Sequence, residues 1–167
     1  MKKTPVLIMM LVLTALLPSC TAANNGGSFK SVSMYDLSKE MVQAGENLAE
    51  MSYASSQDSN AESAFSRISY MDYGKVDSFF VSYATDGSTS ADEIVVIAVR
   101  NTEDAPEAEK SLKDHLDYRM SLYRTYGAKQ LPKLEKAEVF TSGNYAVLIV
   151  ADSPGSIRSA FNGFISR

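Results

Sequence analysis

Residues 93–104 read EIVVIAVRNTED and residues 144–155 read NYAVLIVADSPG. The two stretches align without a gap: a polar residue, a seven-residue strand, then residues suited to opening a helix. Short runs this rich in Val, Ile and Leu, bounded by polar residues, read as strands. Neither run alternates apolar with polar. In the first, Ile94, Val96 and Ala98 share one face and Val95, Ile97 and Val99 the other. In the second, Tyr145, Val147 and Ile149 stand against Ala146, Leu148 and Val150. A sheet with one wet face would alternate, so both strands are expected to be central and covered on both sides.

Working outward, each stretch has a partner strand before it and a helix after it. Ser78–Tyr83 (SFFVSY) is a strand by aromatic and β-branched content, and ATDGSTSAD turns the chain into Glu93–Arg100. Asn101 or Thr102 opens a helix through Tyr126, with Ala105, Ala108, Leu112, Leu116, Met120 and Tyr123 on one face. The second unit repeats the order. Ala137–Thr141 is a strand, Ser142-Gly143-Asn144 a tight turn and Tyr145–Ala151 a strand. Asp152 or Ser153 then caps a helix with Pro154 at its first position and Ile157, Phe161 and Phe164 as its inner stripe. The order ββα–ββα predicts an α+β domain with a four-stranded antiparallel sheet flanked by helices. The two helices that follow the strand pairs are expected on one face.

A further helix is predicted ahead of these units. Met34, Leu37, Met41, Ala44, Leu48 and Met51 recur at steps of three and four, and Ser33 is placed as the N-cap. This Met34–Met51 helix is expected to cover part of the sheet's second face. Residues 55–63 (SSQDSNAES) read as an exposed loop. The single domain is thus expected over residues 34–167.

The start of the chain reads as an address. Lys2 and Lys3 precede the apolar run Val6–Leu17, which at about a dozen residues falls short of the roughly 20 needed to span a bilayer. It has the dimensions of a signal-peptide apolar region. The chain's one cysteine follows in LLPSC, and Leu17-Pro18-Ser19-Cys20 resembles the bacterial lipobox, in which the cysteine is diacylated and becomes the new N-terminus. Pro18 departs from the small or β-branched residues usual there. An ordinary signal peptide cut nearby would leave a stray thiol in an oxidising compartment. Two acyl chains on Cys20 would hold the protein to a membrane stably, where one would not. The expectation is a signal peptide over residues 1–19, then the lipidated Cys20 and a flexible tether through residue 33, rich in small and polar residues. The protein would sit outside the cytoplasm, on the outer face of the plasma membrane in a Gram-positive cell.

Charge excludes one class of partner. Loss of residues 1–19 removes two lysines, so the formal net charge of −4 becomes −6. An acidic chain of this kind does not use electrostatics to bind nucleic acid or anionic lipid. With no second cysteine there is no disulfide, and 148 residues of the 167 remain to build a core.

Four segments carry a family resemblance in their order and spacing: YMDYG (70–74), ADEIVVIAVRNTEDA (91–105), SLYRTYG (121–127) and GNYAVLIVADSP (143–154). Together they resemble the bacterial lipoproteins of domain-of-unknown-function family 4358, over roughly residues 65 to 165. The family's Asp-Glu before its central strand looks like Asp92-Glu93, its Gly-Asn-Tyr looks like Gly143, Asn144 and Tyr145, and its aromatic pair near the end of the long helix looks like Tyr123 and Tyr126. A proline usual after that pair is Ala128 here, and Pro132 comes later. The resemblance implies fold and location. It implies no activity.

Chemistry is sparse. His115 is the only histidine and falls beside the inner face of the long helix, where it reads as a structural residue. No Cys/His spacing suggests zinc, and no phosphate loop, nucleophile elbow or HExxH occurs. Asp86, Ser88, Ser90 and Asp92 alternate as a calcium loop begins, but its twelfth position is Ile97 rather than glutamate. Asp92 and Glu93 are strand neighbours pointing apart and cannot readily serve one substrate. The expected function is therefore a non-enzymatic binding or interaction module of the envelope, without a cofactor, engaging an envelope protein or ligand. Aromatic residues at 70, 73, 79, 80 and 83 favour that reading. The alternative is an enzyme using Glu93, His115 or Arg119, with Tyr118 as a further candidate. A deep cleft holding Glu93, His115 or Arg119 together would favour catalysis, and a shallow aromatic patch would favour partner binding.

Overall fold

The computed structural model describes residues 32–167. The expected signal peptide, Cys20 and all but the last two residues of the tether lie outside them.

The chain runs through α1 (Met34–Ala44), β1 (Met51–Ser55), α2 (Ala61–Phe65), β2 (Val76–Ala84), β3 (Glu93–Val99), α3 (Ala105–Tyr126), α4 (Leu131–Glu135), β4 (Glu138–Ser142), β5 (Tyr145–Val150) and α5 (Pro154–Ile165). The strands form one antiparallel sheet in the order β1-β2-β3-β5-β4. The expected α+β class holds, but the sheet has five strands rather than four. The two fully apolar strands are interior, and every residue of β3 and β5 is buried. Their register sets Glu93 opposite Val150 and Ala98 opposite Tyr145. At the β4–β5 hairpin Ser142 pairs with Tyr145, leaving Gly143-Asn144 as a two-residue loop. Gly143 has φ +58° while Asn144 does not enter the left-handed region, the pattern of a II′ turn with glycine first.

The extra strand corrects the N-terminal helix. Its periodicity continues to Met51, but the helix stops at Ala44, and Met51 opens β1. Gly45 ends it. A Cβ at Gly45 would lie 2.3 Å from Leu48 Cδ1, so the bare glycine lets Leu48 fold back against the second face of the sheet. Asn47 adopts φ +56° and completes the reversal, a conformation that asparagine tolerates better than most residues. Leu48 is apolar because it packs on that face, and its spacing only imitates another helical turn. The segment read as a loop over 55–63 is likewise shortened, since Ser55 ends β1 and Ala61 begins α2.

The two faces are not covered as expected. α3 lies on the face formed by Phe79, Val81, Val95, Ile97, Leu148 and Val150, with α2 and Leu134 of α4 beside it. α5 lies on the opposite face with α1, against Phe80, Ile94, Val96, Val147 and Ile149. The two ββα units therefore match in their strands and diverge in their helices. The expectation that α1 covers the second face holds, but it shares that task with α5. Leu37 and Met41 of α1 and Ile157 and Phe161 of α5 are completely buried there. A buried hydroxyl pair, Ser38 to Ser82 at 2.9 Å, fixes α1 on β2. Neither hydroxyl is left unsatisfied, which would cost about 1–3 kcal/mol. Among the described residues no helix is long and apolar enough to cross a membrane.

Candidate functional site: a cleft between α2 and α3

Five strands spaced about 4.8 Å apart make a sheet roughly 19 Å across, and one helix covers about 10–12 Å of it. α3 lies over β3, β5 and β4, so β1 and β2 depend on the five-residue α2. At one end that cover is tight. Phe65 of α2 packs on Phe79 with ring centroids 5.2 Å apart, and Ser69 Oγ donates to Ser111 Oγ of α3 at 2.8 Å. Further along, α2 has ended and α3 has not closed the gap. A cleft of about 280 Å³ opens there.

The floor of the cleft is Ala54, Val81, Tyr83 and Glu93, which share the α3 face of β1, β2 and β3. Ala64, Arg67 and Ile68 form the α2 wall, and His115 and Arg119 form the α3 wall. Gly87 and Ser90 make the rim, which is held in place from α3: the Tyr123 hydroxyl lies 2.8 Å from the Gly87 carbonyl oxygen and 3.1 Å from that of Ser90.

Glu93, His115 and Arg119 come together here. His115 and Arg119 are one turn apart on α3 and so share a face. Both reach Glu93 Oε2, at 3.0 Å from His115 Nε2 and 2.8 Å from Arg119 Nη1. Arg119 Nη2 also donates to the Ala91 carbonyl at 3.2 Å, and its guanidinium lies 5.5 Å from the Tyr123 ring centroid. Glu93 is 5% exposed. Burial pushes its carboxyl up, but the hydrogen bond from His115 and the charge of Arg119 together outweigh burial and hold it below the usual carboxylate range. An ionised carboxylate only accepts, so the bonded His115 nitrogen carries its proton toward Glu93.

This arrangement has two of the three parts of a nucleophilic site: a carboxylate and an imidazole that it orients. Among the described residues the hydrogen-bond partner of His115 is Glu93, and no hydroxyl bonds to its ring. Arg119 takes the same carboxylate oxygen and so weakens the carboxylate as a base. The three groups neutralise charge and fix one another's geometry.

The other sequence candidates lie elsewhere. Tyr118 is exposed and outside the cleft lining. Asp92 diverges from Glu93 as strand neighbours do. Its Oδ1 lies 2.6 Å from Lys133 Nζ, and its Oδ2 accepts from Ala49 N at 2.9 Å and Ser90 Oγ at 2.8 Å. Asp86 Oδ1 accepts from the amide and hydroxyl of Ser88, which closes the turn on itself. Among the described residues no group of three His, Cys, Asp or Glu side chains is placed to hold a metal ion. The aromatic residues at 70, 73, 79, 80 and 83 do not make one surface: Phe79 and Phe80 are buried on opposite faces, and Tyr70 is exposed by itself. Arg67, Ile68 and Ala64 were not anticipated. The signal was there, because Ala61, Phe65 and Ile68 have helical spacing in a stretch otherwise polar.

An antiparallel sheet sandwiched by helices, with a buried acid before its central strand, defines the class to which this chain is to be compared. A family model described as a domain of unknown function (DUF4358) matches residues 52–151, and the chain belongs to that family. No curated protein and no solved structure matches it.

Proposed function

We propose that this protein is a lipid-anchored, extracytoplasmic module of the bacterial cell envelope that binds a small ligand in the α2–α3 cleft and does not transform it. The observation that carries binding over catalysis is the double donation to Glu93 Oε2, from His115 at 3.0 Å and Arg119 at 2.8 Å. A group so occupied gives shape and charge to a cleft but is a poor proton acceptor. The anchor rests on the apolar run Val6–Leu17 and on Leu17-Pro18-Ser19-Cys20. Cys20→Ser should abolish lipid labelling and release the protein to the soluble fraction, since Cys20 would carry all the acyl chains. Persistent membrane association of that variant would mean a different anchor.

A second reading, an enzyme built on Glu93, His115 and Arg119, is favoured by the meeting of all three in one cleft. Native mass spectrometry of the chain recovered from its own envelope separates the two. A noncovalent small-molecule adduct, stable over time and missing from a cleft-filling Ala64→Trp variant, is expected. An adduct that is consumed on incubation, and spared in His115→Ala, would establish the enzyme instead. No adduct on the wild-type chain would sink the binding reading.

A further inference from the structure

Of the charged groups that line the cleft, Glu93 and Arg119 neutralise one another, and His115 is held by the same carboxylate. That leaves Arg67. Its side chain is exposed at the mouth of the cleft, just beyond the end of α2, and among the described residues its guanidinium has no acidic partner and no hydrogen bond. The cleft thus carries one uncompensated positive charge in a chain whose formal net charge is −4. Behind Arg67 the lining turns apolar, with Ala54, Ala64, Ile68 and Val81. We propose that the cleft takes a small monocarboxylate with an apolar body, the carboxylate paired with the Arg67 guanidinium and the body seated between α2 and the β1–β2 floor. This rests on the reading of the cleft as a binding site and adds the class of its ligand.

Three features select that class. A guanidinium matches a carboxylate through two parallel N–H···O bonds, so one free arginine is a complete partner for one carboxylate. A phosphate monoester carries up to two charges, and one arginine compensates only one of them. The volume, about 280 Å³, stands at the low end of small-molecule sites and suits a single ring or a short aliphatic chain.

The test uses the full-length chain in mild detergent and two series of probes: phenylacetate, phenylpropionate and hexanoate, and the uncharged amide of each. Binding is read by calorimetry and by NMR shifts of cleft residues. At least one acid should bind at least tenfold more tightly than its amide. Arg67→Ala should abolish that preference, Arg67→Lys should keep part of it, and Arg124→Ala, which removes an exposed arginine outside the cleft, should leave it unchanged. Acids and amides binding alike, amides alone binding, or an acid preference that survives Arg67→Ala would each overturn the carboxylate inference while leaving the cleft a binding site. If neither series perturbs any cleft residue, the carboxylate inference falls, and the binding reading is decided by the native mass spectrometry above.

Discussion

The Glu93 carboxylate and the Arg119 guanidinium meet at 2.8 Å across the boundary between the sheet and α3, with side-chain exposures of 7% and 13%. Each holds the other in a place that neither would occupy alone. Glu93→Ala leaves a part-buried guanidinium with the Ala91 carbonyl as its remaining hydrogen-bond acceptor, and should cost about 3 kcal/mol. His115→Ala keeps the Glu93–Arg119 pair and should cost about 1–2 kcal/mol. Equilibrium urea denaturation of the two variants tests the order. Equal losses would mean that the histidine, rather than the arginine, carries the pairing.

The same pair predicts an acid-limb effect. The folded state holds the Glu93 carboxyl below its usual range, so the carboxylate form is favoured on folding. Its contribution is fully present above the unfolded value of about 4.3 and is lost as pH falls through the lower, folded value. Glu93→Gln has no such group. The stability gap between wild type and Glu93→Gln should narrow as pH falls below about 4.3. A gap that is flat to pH 2, or that closes near neutrality, would contradict the assignment.

Asp92 offers a second ion pair, joined to the cleft through the rim residue Ser90. Asp92 is 1% exposed, with Lys133 Nζ 2.6 Å away and the Ala49 amide at 2.9 Å. It joins α4 and the segment after α1 to the start of β3. Lys133→Met should cost about 3–5 kcal/mol because it leaves the acid buried. In the double variant with Asp92→Asn, the combined loss should fall short of the sum by about 1–3 kcal/mol. Additive losses would show that the two charges do not depend on one another.

What the sequence reveals depends on how local the cause is. β3 and β5 declare themselves because burial on both faces leaves no polar residue in Ile94–Val99 or Tyr145–Val150. β1 does not, because MSYAS is short, lacks β-branched residues and is an edge strand whose pairing with β2 comes from distant residues. Gly45 and Asn47 were the available sign that α1 had ended. His115 and Arg119 are visibly one helical turn apart, but their meeting with Glu93 depends on how α3 lies over the sheet, which no spacing encodes. Arg67 had no motif around it. Its place follows from where α2 stops.

The last prediction concerns α1. Both faces of the sheet are apolar, and on the second face α5 is joined by Met34, Leu37 and Met41 of α1. Burying each such side chain stabilises by about 1.5–3 kcal/mol, so α1 supplies several kcal/mol to a domain whose net stability is of the order of 5–15 kcal/mol. A chain beginning at Gly45 keeps β1 intact but exposes part of the surface formed by Phe80, Ile94 and Val96, and should bind a hydrophobic dye or aggregate. A milder form of the same test is Leu37→Ala, expected to cost about 2–5 kcal/mol. The hydroxyl pair adds a sharper check. Ser38→Ala should cost about 1–3 kcal/mol by stranding the Ser82 hydroxyl, whereas removing both hydroxyls together should be nearly neutral. If the Gly45–Arg167 chain stays monomeric, binds no dye and unfolds at the same denaturant concentration as the full chain, α1 does not hold this face closed.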